Sequence, residues 1–366
     1  MSLNYENEEK DKFNCKIIVS SHKKFSENIF YISFAKIISS YGVIILHANG
    51  FWRNHSRDFR LFLILNFYES FFYYSVPVFV LCIGATLLNF NEKYDLLQYN
   101  KKRIVKVFIP LLGWNVILYF YKVYFLKNLK KENLSFSKLW NYFFLSKVYH
   151  IFDSLHIFLL TYMLIPLIAY IETSNKLKIC IYYFFFLLIT QAFIPYLINL
   201  LQIKIVWIYT FKIGYLIYIL AGYTIHNYKF SFYQKYIIYI FGIISFFIHF
   251  FGTYICFRRG NNNLRLHKGY LNLPSILYSS AIFLFLKEKI FNVFGKKWLK
   301  FINKLGSLTL GAFFLHNPLI DTISSHQTLY IFLSFNTLFF SFFIFLLCLL
   351  ITRIMKNIPL LKILVP

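Results

Sequence analysis

The chain has 366 residues, of which 58% are hydrophobic, 22% are aromatic and only 14% are charged, whereas about a quarter of the residues in a soluble domain are charged. This composition excludes an ordinary soluble domain and places the chain among membrane proteins. The formal net charge is +25, but the basic residues lie mostly between apolar runs, where loops face anionic lipid, so the charge does not indicate nucleic-acid binding.

The first 28 residues form a distinct polar segment. They are rich in lysine and glutamate, and no small-residue cleavage site follows the first apolar run. The sequence therefore predicts a cytoplasmic tail over residues 1–28 and no cleavable signal peptide.

Apolar runs then continue to about residue 352. Because the roughly 30 Å core of a bilayer needs about 20 apolar residues per helix, these runs predict about ten membrane-spanning helices. The predicted spans are residues 29–51, 70–90, 104–126, 154–171, 179–200, 205–226, 235–257, 271–287, 305–323 and 330–352. The predicted fold class is an all-α polytopic membrane helix bundle over residues 29–352, followed by a short cytoplasmic tail at 353–366.

The distribution of basic residues predicts the orientation. With the N-terminus in the cytoplasm, the inner segments hold more lysine and arginine than the outer loops, so both termini are predicted to be cytoplasmic. The outer loops are also basic, which indicates either an anionic partner outside or simply solvated loops.

The first span contains two ionisable residues, Lys36 and His47. A charged side chain at the centre of a bilayer costs at least about 2.5–3.5 kcal/mol and is a functional hypothesis by default. The two residues are eleven positions apart, about three helical turns or 16 Å, and therefore project from one face at different depths. Spacing alone leaves two alternatives open, since Lys36 could snorkel to the inner surface and His47 could be an interfacial histidine.

Other spans carry further ionisable residues. Asp153 and His156 stand at the mouth of the fourth span, Lys212 and His249 lie in the sixth and seventh, and His316 and Asp321 lie in the ninth. For Lys212 and His249 we expect partners elsewhere in the bundle, and the five-residue spacing of His316 and Asp321 points them in different directions. The five cysteines have no paired spacing, so they predict neither disulfides nor a metal site and are typical of small buried side chains.

Four segments in chain order carry a family resemblance. They are "SVPVFVLCIGATLLNF" from Ser75, "YNKKRIVKVFIPLL" from Tyr99, "LTYMLIPLI" from Leu160 and "KLGSLTLGAFFLHNPLID" from Lys304. Together with the first span they resemble the acyltransferase-3 family, integral membrane O-acyltransferases that modify cell-surface polysaccharides.

Individual positions match the family's motifs to different degrees. In the first helix His47 matches the family histidine, whereas Lys36 stands at the position of the family arginine. The other positions that correspond to family motifs are Pro77, Phe79 and Gly84; Arg103 and Lys106; Tyr162 and Pro166; and Ser307, Gly311, Phe313, His316 and Pro318. The departures are Ser33 for a common aspartate, Ile83 for a serine, Phe313 for a tyrosine, and a fourth-helix histidine that could be His150 or His156.

The resemblance implies transfer of an acyl group, most simply acetyl from acetyl-CoA, to a sugar hydroxyl of a surface glycan. It implies His47 as the general base or as the residue that takes the acyl group, with His316, Lys36 or backbone groups near Pro77 stabilising charge on the carbonyl oxygen. Acyl-CoA would be a donor substrate and no permanently bound cofactor is expected. The enzyme would lie in the cytoplasmic (inner) membrane, and a partner that completes the transfer outside would be a separate chain.

Two groups of residues are candidates for substrate binding. The inner cluster of Lys101, Lys102, Arg103 and Lys106 has the charge to hold the phosphates of the donor, although positive-inside topology alone would also produce such a cluster. On the acceptor side the candidates are Arg53, Arg57, Asp153 and His156, and a solvated loop is the alternative for the two arginines.

A transporter or flippase of a lipid-linked glycan is the second hypothesis. It would also need many spans, basic loops and buried ionisable groups. Transporters often contain internal repeats with broken helices at matching positions, and the sequence shows neither clearly. A membrane assembly component without enzymatic activity would leave the order of the family motifs around His47 and His316 unexplained.

Overall fold

The computed structural model describes residues 30–49, 59–126, 161–202, 215–259, 266–325 and 337–366. In the part of the chain that the structure describes, 86% of the residues are helical and no strand is present. The predicted all-α class is therefore confirmed. The helices in chain order are α1 (Phe30–Asn49), α2 (Phe59–Phe72), α3 (Ser75–Leu87), α4 (Leu96–Arg103), α5 (Ile109–Tyr124), α6 (161–169), α7 (Thr173–Leu187), α8 (Ile194–Leu200), α9 (Leu216–Asn227), α10 (Phe232–Arg258), α11 (Leu273–Phe294), α12 (Leu299–Gly306), α13 (Thr309–Ser325) and α14 (Thr337–Asn357).

Six stretches of the described residues are long and apolar enough to cross a membrane. They are Phe30–Asn49, Phe59–Glu92, Leu96–Tyr124, Ser174–Leu200, Phe232–Arg258 and Thr337–Asn357. The four remaining predicted spans contain the helices α6, α9, α11 and α13. The chain is thus a multi-pass membrane protein, while the total of about ten spans and the cytoplasmic termini stay predictions.

The second span begins earlier than predicted. The sequence places its start near residue 70, but the structure continues the helix back to Phe59. The polar residues that interrupt this stretch are satisfied inside the bundle, because the Lys268 Nζ lies 2.6 Å from Asn66 Oδ1 and 3.1 Å from Glu69 Oε2. Paired in this way, Asn66 and Glu69 are compatible with a helix at membrane depth.

Helices α3 and α9 pack against each other without intervening side chains. A Cβ atom built on Gly84 would overlap the backbone of Ile219, and one built on Gly222 would overlap the backbone of Leu81. Small residues at a crossing allow helix backbones to approach closely in membranes. The glycine of the "SVPVFVLCIGATLLNF" segment therefore has a packing role that fixes the position of α3.

Two helices contain wide π-helical turns, at Ile104–Phe108 and Leu188–Phe193. Each is followed at once by a helix with proline in its first turn, Pro110 in α5 and Pro195 in α8. Proline cannot donate the usual backbone hydrogen bond, so the preceding turn loses its regular pairing and widens. The first of these turns carries Lys106.

Several lysines cap helix C-termini in this structure. The Lys176 Nζ donates to the carbonyl of Ala169 (2.7 Å), the Lys287 Nζ to Ile225 (2.6 Å) and the Lys356 Nζ to Ser307 (2.9 Å). Carbonyls at helix ends lack intrahelical partners, and a cation satisfies them. Part of the basic bias seen in the sequence therefore has a structural role.

The last residues pack against the bundle. Helix α14 continues to Asn357, inside the segment predicted as a short tail, and a 3-10 turn follows at Leu361–Ile363. The Trp114 Nε1 donates to the carbonyl of Leu364 over 3.0 Å, and Val365 is buried.

Candidate active site

A cavity of about 540 Å³ lies between α1, α3, the α4–α5 turn, α6 and the α12–α14 region. This volume is within the range of small-molecule sites. The cavity is lined by four cationic side chains, Lys36, Arg103, Lys106 and Lys356. No aspartate or glutamate is among the described residues that line it. The charge of the cavity therefore favours an anionic ligand.

Arg103 is held in place by two tyrosines. Its guanidinium carbon lies 5.5 Å from the ring centres of both Tyr99 and Tyr162, and its side chain is hydrogen bonded to Tyr162. The Tyr99 hydroxyl in turn donates to the backbone carbonyl of Tyr162 (2.9 Å). The Arg103 Nε is buried without a hydrogen-bond partner among the described residues. A guanidinium oriented in this way at the cavity wall is well suited to bind a phosphate or carboxylate.

The inner basic cluster divides into two parts. Arg103 and Lys106, one turn apart in the sequence, both line the cavity. Lys101 is exposed and is not part of the lining, and the Lys102 Nζ instead lies 3.5 Å above the ring of Tyr94.

Lys356 is a cavity residue that sequence reasoning missed. It lies on α14 and is close enough to Lys106 for the two charges to repel each other. In the sequence, Lys356 stands out only as a basic residue after the last predicted span, and positive-inside topology alone also places basic residues there. A ligand with several negative charges would relieve this repulsion.

The two motif histidines are in contact. The ring centres of His47 on α1 and His316 on α13 are 5.0 Å apart. His47 is exposed, whereas His316 is completely buried. A reactant can therefore reach the first histidine, and the second lies behind it.

The hydrogen bonding of His316 indicates its tautomer. Its Nδ1 lies 3.3 Å from the carbonyl of Ala312, and its Nε2 has no partner in the described part of the chain. A carbonyl can only accept, so Nδ1 carries the proton and neutral His316 presents Nε2 as an acceptor. In this state His316 can accept a hydrogen bond from His47 but cannot donate one through Nε2.

One residue of the cavity lining contacts the histidine pair. Phe313 lines the cavity, and its ring centre is 5.9 Å from that of His316. Lys36 shares the cavity lining with Phe313, and His47 contacts His316. Helix α1 is continuous over Phe30–Asn49, so Lys36 and His47 project from one face, as their spacing predicts; Lys36 lines the cavity and His47 contacts α13.

The other ionisable candidates have separate locations. His249 is buried, with its Nε2 3.2 Å from Ser275 Oγ and its ring beside Tyr73, so the expectation of a partner across the bundle is confirmed. Asp321 interacts electrostatically with Lys122 rather than with His316. The four cysteines at 82, 180, 256 and 348 are free and buried, as predicted. Arg53, Arg57, Asp153, His156 and Lys212 lie outside the described residues.

The fold and the site together define a multi-pass membrane protein in which a basic cavity adjoins a histidine pair. The family model for the acyltransferase-3 domain, described as an acyltransferase domain, matches residues 29–354 of the chain. The chain therefore belongs to the acyltransferase-3 family. The resemblance found in the sequence is thereby confirmed, and the chain is a membrane-embedded acyltransferase. Comparison with curated proteins and with solved structures gives no match.

Proposed function

We propose that the protein transfers an acetyl group from acetyl-CoA to a sugar hydroxyl of a cell-surface glycan, such as lipopolysaccharide, capsule or exopolysaccharide. The observation that carries this proposal is the basic cavity next to the His47–His316 pair. The donor would enter from the cytoplasm and the glycan from outside the cytoplasmic membrane, so the two substrates would meet at the histidines.

The cations of the cavity would hold the phosphates of the donor. Arg103 offers a preoriented guanidinium, and Lys106 and Lys356 add charge beside it. We assign Lys36 to this group as well, because it lies about 16 Å along the helix axis from His47 and so does not reach the same carbonyl. Since lysine is a point charge and lacks the planar fork of arginine, it suits a multiply charged phosphate group without fixing one orientation.

His47 would act on the acceptor. An alcohol is a poor nucleophile at neutral pH, and a histidine can accept its proton as the oxygen attacks the thioester carbonyl. The new C–O bond forms, the C–S bond breaks, and the proton passes from His47 to the departing thiolate, which gives an ester and free CoA. A route in which His47 first takes the acetyl group is the alternative.

His316 would orient the base. Its Nε2 can accept a hydrogen bond from one nitrogen of His47, which leaves the other nitrogen of His47 as the proton acceptor. This is the arrangement of a base supported by a second group. Arg53, Arg57, Asp153 and His156 remain candidates for holding the glycan.

The proposal is tested by expressing the protein in a strain with a defined surface polysaccharide and measuring ester groups by mass spectrometry. Wild type should add esters, and His47→Ala should not, at an equal protein level. His267→Gln is the matched control, because His267 lies outside the cavity, hydrogen bonded to Tyr196. Surface glycan that depends on the protein but carries no ester would favour transport of a lipid-linked glycan.

A further inference from the structure

Two phenylalanines of the cavity lining, Phe79 on α3 and Phe313 on α13, contact each other beside the motif histidine of α13. Both line the cavity, their ring centres are 6.1 Å apart and their planes meet at 77°. The ring of Phe313 is also 5.9 Å from His316. Among the described residues that line the cavity, Phe313 is the one whose ring contacts a motif histidine.

The backbones that carry these two rings are tightly packed. Gly84, on the same helix as Phe79, lies directly against the backbone of α9. Near Phe313, Gly311 lies against the side chain of Thr352, and Phe314 stacks on Trp114 with ring centres 5.7 Å apart. The two rings are in edge-to-face contact, and the helix separation is already set by close backbone contacts, so only a change of side chain opens room at this part of the cavity wall.

The position of this pair has a consequence for the donor. Phosphates bound at Lys36, Arg103 and Lys106 leave the acyl end of the donor to extend toward His47. Because Phe313 contacts His316, that end would lie against this ring pair, and the room beside the rings would limit the acyl group that reaches the histidines. The rings are also apolar, and a free carboxylate placed against them would lose its hydration without compensation.

We propose that Phe79 and Phe313 form an aromatic constriction that restricts the enzyme to short, uncharged acyl groups, with Phe313 as the main specificity-determining residue. This inference rests on the proposed acyl transfer and specifies which acyl donors the enzyme accepts. It excludes succinyl and long acyl chains as efficient substrates. Phe313 stands where the family has tyrosine, and the missing hydroxyl makes the constriction of this chain more apolar.

The test uses purified full-length protein in lipid nanodiscs, with the acceptor glycan and a donor series of acetyl-, butyryl-, hexanoyl- and succinyl-CoA. Wild type should prefer acetyl-CoA. Phe313→Ala should raise the hexanoyl-to-acetyl ratio of kcat/KM at least about tenfold, because a pocket discriminates methylene groups by 10-fold or more. Phe79→Ala should shift the ratio in the same direction. Phe313→Leu should shift the ratio less than Phe313→Ala does, and it replaces Phe313→Ala in the test if that variant fails to fold.

The matched control is Phe283→Ala, which removes a buried ring on α11 away from the cavity. Its donor ratio should equal that of wild type even if its thermal stability falls. A ratio that changes less than twofold in Phe313→Ala and Phe313→Leu, with acetyl transfer retained, overturns the constriction but leaves the proposed function intact. Absence of protein-dependent transfer from every donor in wild type overturns the proposed function, and the constriction with it.

Discussion

Replacing Arg103 by glutamine should weaken donor binding through the phosphates alone. The arginine lines the cavity and is held against Tyr99 and Tyr162, so a bound phosphate would gain a charge-assisted hydrogen bond from its guanidinium. A hydrogen bond to a charged group is worth about 1.5–3 kcal/mol. Since about 1.4 kcal/mol corresponds to a tenfold change, the KM for acetyl-CoA should rise about 10- to 140-fold.

The assay is steady-state acetyl transfer in nanodiscs with two donors, acetyl-CoA and a truncated acetyl thioester that lacks the phosphates. Arg103→Gln should raise the KM for acetyl-CoA and leave kcat/KM for the truncated donor within about threefold, because the proposed role of Arg103 is to bind the phosphates alone. Lys101→Gln is the control, since Lys101 is exposed and outside the cavity lining. Equal effects of the two substitutions, or an equal loss with the truncated donor, would refute the assignment of the cavity as the phosphate site.

Three further predictions concern stability. Gly84→Val places a side chain against the backbone of Ile219 and should destabilise the protein by about 1–3 kcal/mol or more, seen as a lower thermal midpoint than in the neighbouring Ala85→Val control. Lys176→Met leaves the carbonyl of Ala169 without its 2.7 Å donor and should cost about 1–3 kcal/mol in thermal unfolding, whereas an unchanged midpoint would contradict the capping role. Burial lowers the pKa of His267, in the loop before α11, below its ordinary value of 6.5. Near and below pH 6.5 the unfolded chain therefore binds this proton more readily than the folded protein, and stability should fall as the pH decreases. Between pH 7.5 and 5.5 the thermal midpoint of His267→Gln should change less than that of wild type, and the difference should equal about the effect of titrating one histidine.

Helical periodicity predicted a good part of this site. Lys36 and His47 project from one face of the continuous helix α1, as an eleven-residue spacing requires, and Arg103 and Lys106, one turn apart, both line the cavity. These relations are local along the chain, and the geometry of a single helix determines them.

Relations between distant segments could not be predicted in the same way. The contact of His47 with His316 was accessible through the family motifs and not through spacing, because one sequence carries no direct record of which helices pack together. Lys356 was missed for a related reason, since a basic residue at the inner edge of a span looks the same whether it lines a cavity, caps a helix or only sets topology. The early start of α2 was missed because the partner that satisfies Asn66 and Glu69 is Lys268, about 200 residues later.

Catalysis by His47 is tested most directly by transfer of isotope-labelled acetyl from acetyl-CoA to the glycan by the purified protein, followed by mass spectrometry of the product. We expect a labelled ester with wild type and with Lys101→Gln, and none above background with His47→Ala at the same amount of folded protein. A labelled ester of undiminished yield with His47→Ala would show that His47 is not the catalytic base.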